Sequence, residues 1–181
     1  MDQPVIDLHN DLVTRCKVGD QDAHYQLYKL YSKGMYNVAF RIVRNEDEAN
    51  DVLQEAFISA FRNLERFRAE ATFGAWIKRI VVNEAINALK RKKFEPIPED
   101  NRWDVAEEET PLEYADELTV DRVKRNIALL PDGYRSVLSL YLLEGYDHQE
   151  IGEIMGISES TSKSQLNRAK TKLRELLTAR A

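Results

Sequence analysis

The run Asp147-His148-Gln149-Glu150-Ile151-Gly152-Glu153-Ile154-Met155-Gly156-Ile157-Ser158 decides the reading of the C-terminal half of the chain. It opens with a capping-box pattern, an acidic cap at Asp147 and Glu150 three positions on. Ile151, Ile154 and Met155 follow at helical spacing, and the short helix closes at Met155-Gly156. Ser158 is a good N-cap for a second helix from Glu159 to about Leu177. Leu166, Ala169 and Leu173 mark the inward face of that second helix. Two helices joined by the three-residue turn Gly156-Ile157-Ser158 have the spacing of a helix-turn-helix.

The second helix of the pair supplies the chemistry. Beyond Ser160 at its start, it presents Thr161, Lys163, Ser164, Asn167, Arg168 and Lys172 away from the core. These are short donors, amides and long cations, the types that contact base edges and phosphates. Residues 159–181 hold six bases and two acids, a net of +4. A helical hairpin with a solvated basic face would share the periodicity. The cap, the glycine turn and the basic second helix together favour DNA binding over it.

Further toward the N-terminus, helical spacing continues almost everywhere. Leu8, Leu12, Val13 and Cys16 lead to Gly19-Asp20, a stop followed by a start. A second segment carries Ala23, Leu27, Leu30, Tyr31 and Met35 and continues through Val38, Ala39, Ile42 and Val43. The third is the clearest: Ala49, Val52, Leu53, Ala56, Phe57, Ala60, Phe61 and Leu64 fall on one stripe of a 3.6-residue helix. Its outward face holds Asp51, Gln54, Glu55 and Ile58, a mixed patch that suits a protein interface, although an ordinary solvated face is commoner. After a loop from Phe67 to Phe73, a fourth helix holds Trp76, Ile77, Ile80, Val81, Ile86 and Leu89. Arg79, Asn83, Asn87 and Lys90 or Arg91 recur every four residues on it. Residues 78–93 carry six bases and one acid, a net of +5. Phe67, Arg68, Phe73 and Trp76 put aromatics beside a cation, which suits stacking against unpaired bases. For the aromatics alone, simple closure of the bundle core is the more favoured reading.

Between the halves the composition changes. Residues 95–117 contain ten acids, one base (Arg102) and three prolines, a combination expected to give an extended, solvated linker. From Thr119, Val120, Val123, Ile127 and Leu130 resume the helical pattern. Val137, Leu138, Leu140, Tyr141 and Leu142 continue it as far as Gly145. The expected fold is all-α, with two small helical domains at 1–94 and 118–181 joined by an acidic flexible linker at 95–117.

Charge and composition close other classes. The chain has 181 residues, 43% apolar and 31% charged, with 26 Lys plus Arg, 31 Asp plus Glu, and a net charge of −5. The acidic total comes from the linker, which contributes −9 and leaves +4 over the other 158 residues. It therefore does not rule out DNA. The start of the sequence shows no secretory signal, and no apolar run is long enough to span a membrane. Cys16 has no partner for an internal disulfide and is expected to be a small buried residue. His9, His24 and His148 lie at no metal-ligand spacing. No P-loop, GxGxxG, GxSxG or HExxH occurs, so neither an enzyme nor a cofactor or metal is expected.

Several segments together resemble a known family. They are Gly19-Asp20 through Ala23, Asp47-Glu48-Ala49-Asn50-Asp51-Val52-Leu53-Gln54-Glu55-Ala56-Phe57 and Trp76-Ile77-Lys78-Arg79-Ile80-Val81-Val82-Asn83. In the second half they are Leu130-Pro131-Asp132-Gly133-Tyr134-Arg135, Glu150 through Ser158, and Ser164-Gln165-Leu166-Asn167-Arg168-Ala169. The whole chain resembles a bacterial RNA polymerase sigma factor of the extracytoplasmic-function (ECF) group of the sigma-70 family, which keeps only the second and fourth sigma regions.

The resemblance implies a non-enzymatic, cytoplasmic initiation factor whose partners are core RNA polymerase, promoter DNA and a separate anti-sigma factor chain that can be membrane-bound. It implies that Asp51, Gln54, Glu55 and Ile58 dock on the polymerase clamp helices. The loop from Phe67 to Phe73 would capture a base flipped from the minus-ten element, with Asn83 and Asn87 in the adjoining helix. Lys163, Ser164, Asn167 and Arg168 would read the minus-thirty-five element, and the acidic linker would enter the polymerase's nucleic-acid channel. Departures from the family pattern are Ser162 where Val is common, Gly152 where Ala is common, and Gln165 where Arg is common. The competing reading is a helix-turn-helix regulator that binds a palindromic site without polymerase. It leaves the Asp51, Gln54, Glu55 face and the basic fourth helix without a common purpose.

Overall fold

The computed structural model describes residues 9–92 and 119–178, and the chain divides into two compact units, Met1–Lys92 and Lys93–Ala181. Every regular element among the described residues is helical. The acidic segment 95–117 lies outside the described residues, as do Leu8 and Lys93.

The first unit is built from α1 (Asn10–Lys17), α2 (Gln21–Val43), α3 (Glu46–Arg62), a 3-10 turn (Leu64–Arg66) and α4 (Phe73–Arg91). Local chemistry sets most of the boundaries. Gly19 turns the chain at φ +86°, and the Asp20 carboxylate then accepts the Ala23 N–H at 3.1 Å to cap α2. Arg44, in the left-handed region at φ 56°, ends α2. Asn45 caps α3 through the Glu48 N–H, and Thr72 caps α4 through the Ala75 N–H.

α2, α3 and α4 pack against one another in all three pairings, and α1 rests on α2. Ala49, Ala56 and Ala60 of α3 are fully buried. With no side chain beyond Cβ, they let the neighbouring helices approach closely around Leu27, Ile42, Ile77 and Val81. Cys16 is buried in this unit, and burial pushes its thiol up to about 11, so it stays protonated and behaves as a small apolar residue.

Two details depart from the periodic reading. Leu64 is buried but belongs to the 3-10 turn, because α3 ends at Arg62 and Asn63 folds its amide back onto the Ser59 carbonyl at 2.8 Å. Leu30 fits the apolar pattern yet is 52% exposed, since it lies at the rim of the arc that α2 buries.

The second unit contains α5 (Val120–Ala128), α6 (Asp132–Leu142), α7 (His148–Met155) and α8 (Glu159–Thr178). α6 is its centre: every residue from Arg135 to Leu140 is buried. The buried Arg135 guanidinium donates to the Leu130 carbonyl at 2.9 Å and pairs with the Asp132 carboxylate. Tyr141 and Leu142, read as part of the same apolar run, are exposed where α6 emerges, and Val120 is exposed at the start of α5.

α7 begins with the full capping box. The Glu150 N–H donates to Asp147 at 2.8 Å, and the Asp147 N–H donates to Glu150 at 3.0 Å. It ends at Gly156, φ +73°, where the N–H groups of Gly156 and Ile157 both reach the Gly152 carbonyl, at 2.8 and 3.0 Å. This turn aims α8 across α6 and α7, both of which it packs against.

Candidate nucleic-acid and protein interfaces

α8 carries the first candidate surface. The Ser158 hydroxyl accepts the Thr161 N–H at 3.0 Å and meets the hydroxyls of Ser160 and Thr161 at 2.9 and 2.7 Å, so it closes the N-terminal end of the helix. Ser160, Lys163 and Lys172 are exposed, while Thr161, Ser164, Asn167 and Arg168 are half-buried. Lys163 pairs with Glu159 one turn earlier at 2.6 Å, and Lys172 pairs with Glu175 at 2.9 Å. Both are exposed pairs that a phosphate can displace at little cost. The inward side of α8 includes two polar residues beside Leu166 and Ala169. Ser162 is fully buried with its Oγ 2.9 Å from His148 Nδ1 in α7, and Gln165 is also buried. The pairing of Ser162 with a histidine fourteen positions away carries no local signal in the sequence.

The second surface combines α4 with the loop before it. Arg79, Asn83, Asn87, Lys90 and Arg91 are all exposed, so the four-residue recurrence does place them on one outward stripe. The aromatics divide differently. Phe67 and Phe73 are buried, and Trp76 is half-buried against both of them, at ring-centroid distances of 5.3 and 5.8 Å. Phe73 also meets Tyr31 of α2 at 5.2 Å. Their rings hold the loop from beneath, as the core-closure reading expects. The residues presented to solvent are Arg68, Ala69, Glu70 and Ala71, with Ala69 at φ 56°. Lys17 at the end of α1 fixes the loop's start by donating to the Phe67 carbonyl at 3.0 Å. Gly74 fixes its end, because a Cβ there would come within 2.8 Å of the Tyr31 ring. Neither Lys17 nor Gly74 was singled out by spacing, since both act through contacts far away in sequence.

The third surface is on α3. Asp51, Gln54, Glu55 and Ile58 are exposed, Ile58 at 43%. Beside them, Glu48, Asp51, Val52 and Glu55 of α3 and Glu84, Ala88, Arg91 and Lys92 at α4 line a shallow groove of about 230 Å³, with Lys92 paired to Glu48. The face is therefore acidic with a basic edge.

Comparison with known proteins matches both halves of the chain to one family. Residues 27–95 match Sigma-70 region 2, and residues 121–173 match Sigma-70 region 4. The chain is 30% identical over 176 residues to the ECF RNA polymerase sigma factor SigW of Bacillus subtilis, covering 91% of this chain and 94% of that one. The chain belongs to the ECF RNA polymerase sigma factors. It is also 34% identical over 173 residues to the ECF RNA polymerase sigma-E factor of Escherichia coli, covering 88% of each. Two solved structures share the fold. One is CnrH in complex with the cytosolic domain of CnrY, with a TM-score of 0.57 and 23% identity over 97% of this chain and 100% of that one. The other is the sigma factor RpoE in complex with the anti-sigma factor NepR from Bartonella quintana, with a TM-score of 0.57 and 22% identity over 87% of this chain and 98% of that one. Region 2 precedes region 4 in the chain, and no helix among the described residues is long and apolar enough to cross a membrane.

Proposed function

We propose that this sigma factor gives core RNA polymerase its promoter specificity by binding alone, in the cytoplasm, with no catalysis of its own. The observation that carries the reading is the ordered pair of Sigma-70 regions in one chain, each with an exposed polar helix face. Region 2 corresponds to residues 1–94, the acidic linker to 95–117 and region 4 to 118–181.

In region 2 the exposed face of Asp51, Gln54, Glu55 and Ile58 docks on polymerase. The α4 stripe of Arg79, Asn83, Asn87, Lys90 and Arg91 lies along the minus-ten element, with Arg68 in the loop ahead of it. Phe67, Phe73 and the half-buried Trp76 hold that loop in shape, so base capture falls to the loop's exposed backbone and to Arg68. In region 4, α8 enters the major groove of the minus-thirty-five element. Ser160, Thr161, Lys163, Ser164, Asn167, Arg168 and Lys172 face it. Strand opening is then driven by base capture and phosphate contacts. The linker carries a charge density that mimics a phosphate chain and suits a positively charged channel. An anti-sigma factor, as a separate chain, is the expected regulator, in line with the complex that RpoE makes with NepR.

Adding the chain to core polymerase with a supercoiled promoter library tests the proposal. Co-elution with core and transcripts that depend on the added chain are the expected result. A chain that neither co-elutes with core nor yields a transcript from any promoter overturns it.

A further inference from the structure

The outer face of α2 carries a pattern that none of these surfaces uses. Tyr25, Lys29, Lys33, Tyr36, Phe40 and Arg44 follow one another in steps of four, four, three, four and four. Those steps track the 3.6-residue period, so the six form one stripe about 28 Å long at 1.5 Å per residue. Leu27, Val38 and Ile42, which α2 buries against the bundle, lie on the opposite side. Tyr25 is 65% exposed, Lys29, Lys33 and Arg44 are exposed, and Tyr36 and Phe40 are half-buried. The Tyr36 and Phe40 rings stack, with centroids 6.0 Å apart and planes inclined by 11°. The Arg44 guanidinium lies over Phe40, 4.8 Å from its centroid. The left-handed backbone at Arg44 brings it to this place. α2 holds a single acid, Asp22, in its first turn, and none shares the stripe from Tyr25 onward.

Rings and cations interleaved along one helix face match the chemistry of an unpaired nucleic-acid strand. Aromatic side chains stack on bases of any identity, and long cations follow the phosphates. A duplex hides its base faces and gains little from the rings. The centre of a protein interface is depleted in lysine, whereas this stripe has a lysine pair at its middle and no aliphatic residue.

We propose that the α2 stripe is a sequence-independent binding surface for an unpaired strand. Tyr25 and Tyr36 supply stacking faces, and Lys29, Lys33 and Arg44 contact phosphates. Phe40 and Arg44 brace Tyr36, so a base placed on Tyr36 extends a stack already three groups deep. The stripe lies on a different helix from the α4 and α8 contacts and shares no residue with them.

Fluorescence anisotropy of the full chain with a 20-mer of oligo-dT, and with a 20-base-pair duplex, tests the proposal. Y25A/Y36A should weaken oligo-dT binding about tenfold, with little change in its salt dependence. K29A/K33A should make the slope of log affinity against log salt shallower by about 1.4. Both variants should keep their helical circular dichroism, their co-elution with core polymerase and their duplex affinity. Oligo-dT affinity within twofold of the parent for both variants overturns the proposal. So do equal losses on single strand and duplex. Loss of core co-elution with oligo-dT binding intact also overturns it and makes the stripe a protein-docking face.

Discussion

His148 Nδ1 in α7 lies 2.9 Å from the buried Ser162 hydroxyl in α8, so one polar contact joins the two helices of the DNA-binding motif. The imidazole is also stacked on Tyr141 of α6 at 4.6 Å. A single side chain therefore ties three of the four helices of region 4 together.

The burial of that imidazole makes region 4 sensitive to acid. Burial lowers the His148 pKa, Lys163 and Lys170 push the same way, and Glu159 and Asp147 oppose them. The folded value thus lies below the ordinary value of about 6.5. The stabilisation is complete above that ordinary value and is lost as pH falls through the window beneath it. Thermal unfolding of the full chain from pH 8 to pH 5 should show a falling Tm on the acid side. His148→Asn should lower Tm at neutral pH and flatten the acid-side fall. An unchanged acid slope in the variant would assign the pH dependence elsewhere.

Gly152→Ala should destabilise region 4 although alanine is a better helix former. A Cβ at this position would lie 2.8 Å from the Ile157 carbonyl oxygen, which is backbone and part of the turn. The turn must open to admit it, straining the two bonds to the Gly152 carbonyl, at a cost of about 1–3 kcal/mol. Circular dichroism melting should show a lower Tm, and minus-thirty-five binding should weaken as α8 is re-aimed. A Tm equal to or above that of the parent would show that the turn relaxes freely.

The loop before α4 separates structure from recognition. Phe73→Ala removes a fully buried ring that touches Tyr31, Phe67 and Trp76, and should cost about 3–5 kcal/mol. Arg68 is exposed, and Arg68→Ala should change stability by less than about 0.5 kcal/mol. The two variants should differ in opposite senses: a large fall in Tm for the first, and weaker opening of a minus-ten element with an unchanged Tm for the second. Permanganate footprinting of the promoter reads the opening. If Arg68→Ala leaves opening untouched, the loop acts through its backbone alone.

The same loop shows where sequence stops being informative. The α4 stripe was legible because one helix fixes the spacing of Arg79, Asn83 and Asn87 within itself. Whether Phe67 and Phe73 face a base or the core depends instead on Tyr31, Trp76 and Lys17, which only tertiary packing brings together. Leu30, Tyr141 and Leu142 fit an apolar pattern, yet stand outside because periodicity gives the direction of a stripe but not the width of the surface that covers it. Capping was fully local, so the Asp147 and Glu150 box appears in the structure just as the residues announce it. The His148 and Ser162 bridge had no local trace at all.

The α8 assignment makes a prediction about salt. If Lys163 and Arg168 each contact a phosphate, replacing both by Ala removes two released counterions. The slope of log affinity against log salt for a minus-thirty-five duplex should then become shallower by about 1.8. Affinity should also fall most at low salt, where counterion release contributes most. Lys163 is held by Glu159 in the free chain, an exposed pair worth about 0.3–0.5 kcal/mol. Glu159→Gln frees the lysine and removes a carboxylate that faces the incoming phosphates, so its affinity should rise while Tm stays nearly constant. Anisotropy titrations at several salt concentrations separate the two effects. Identical slopes for the parent and for K163A/R168A would mean that these side chains do not lie on the DNA backbone, and the recognition surface would have to be sought on another face of α8.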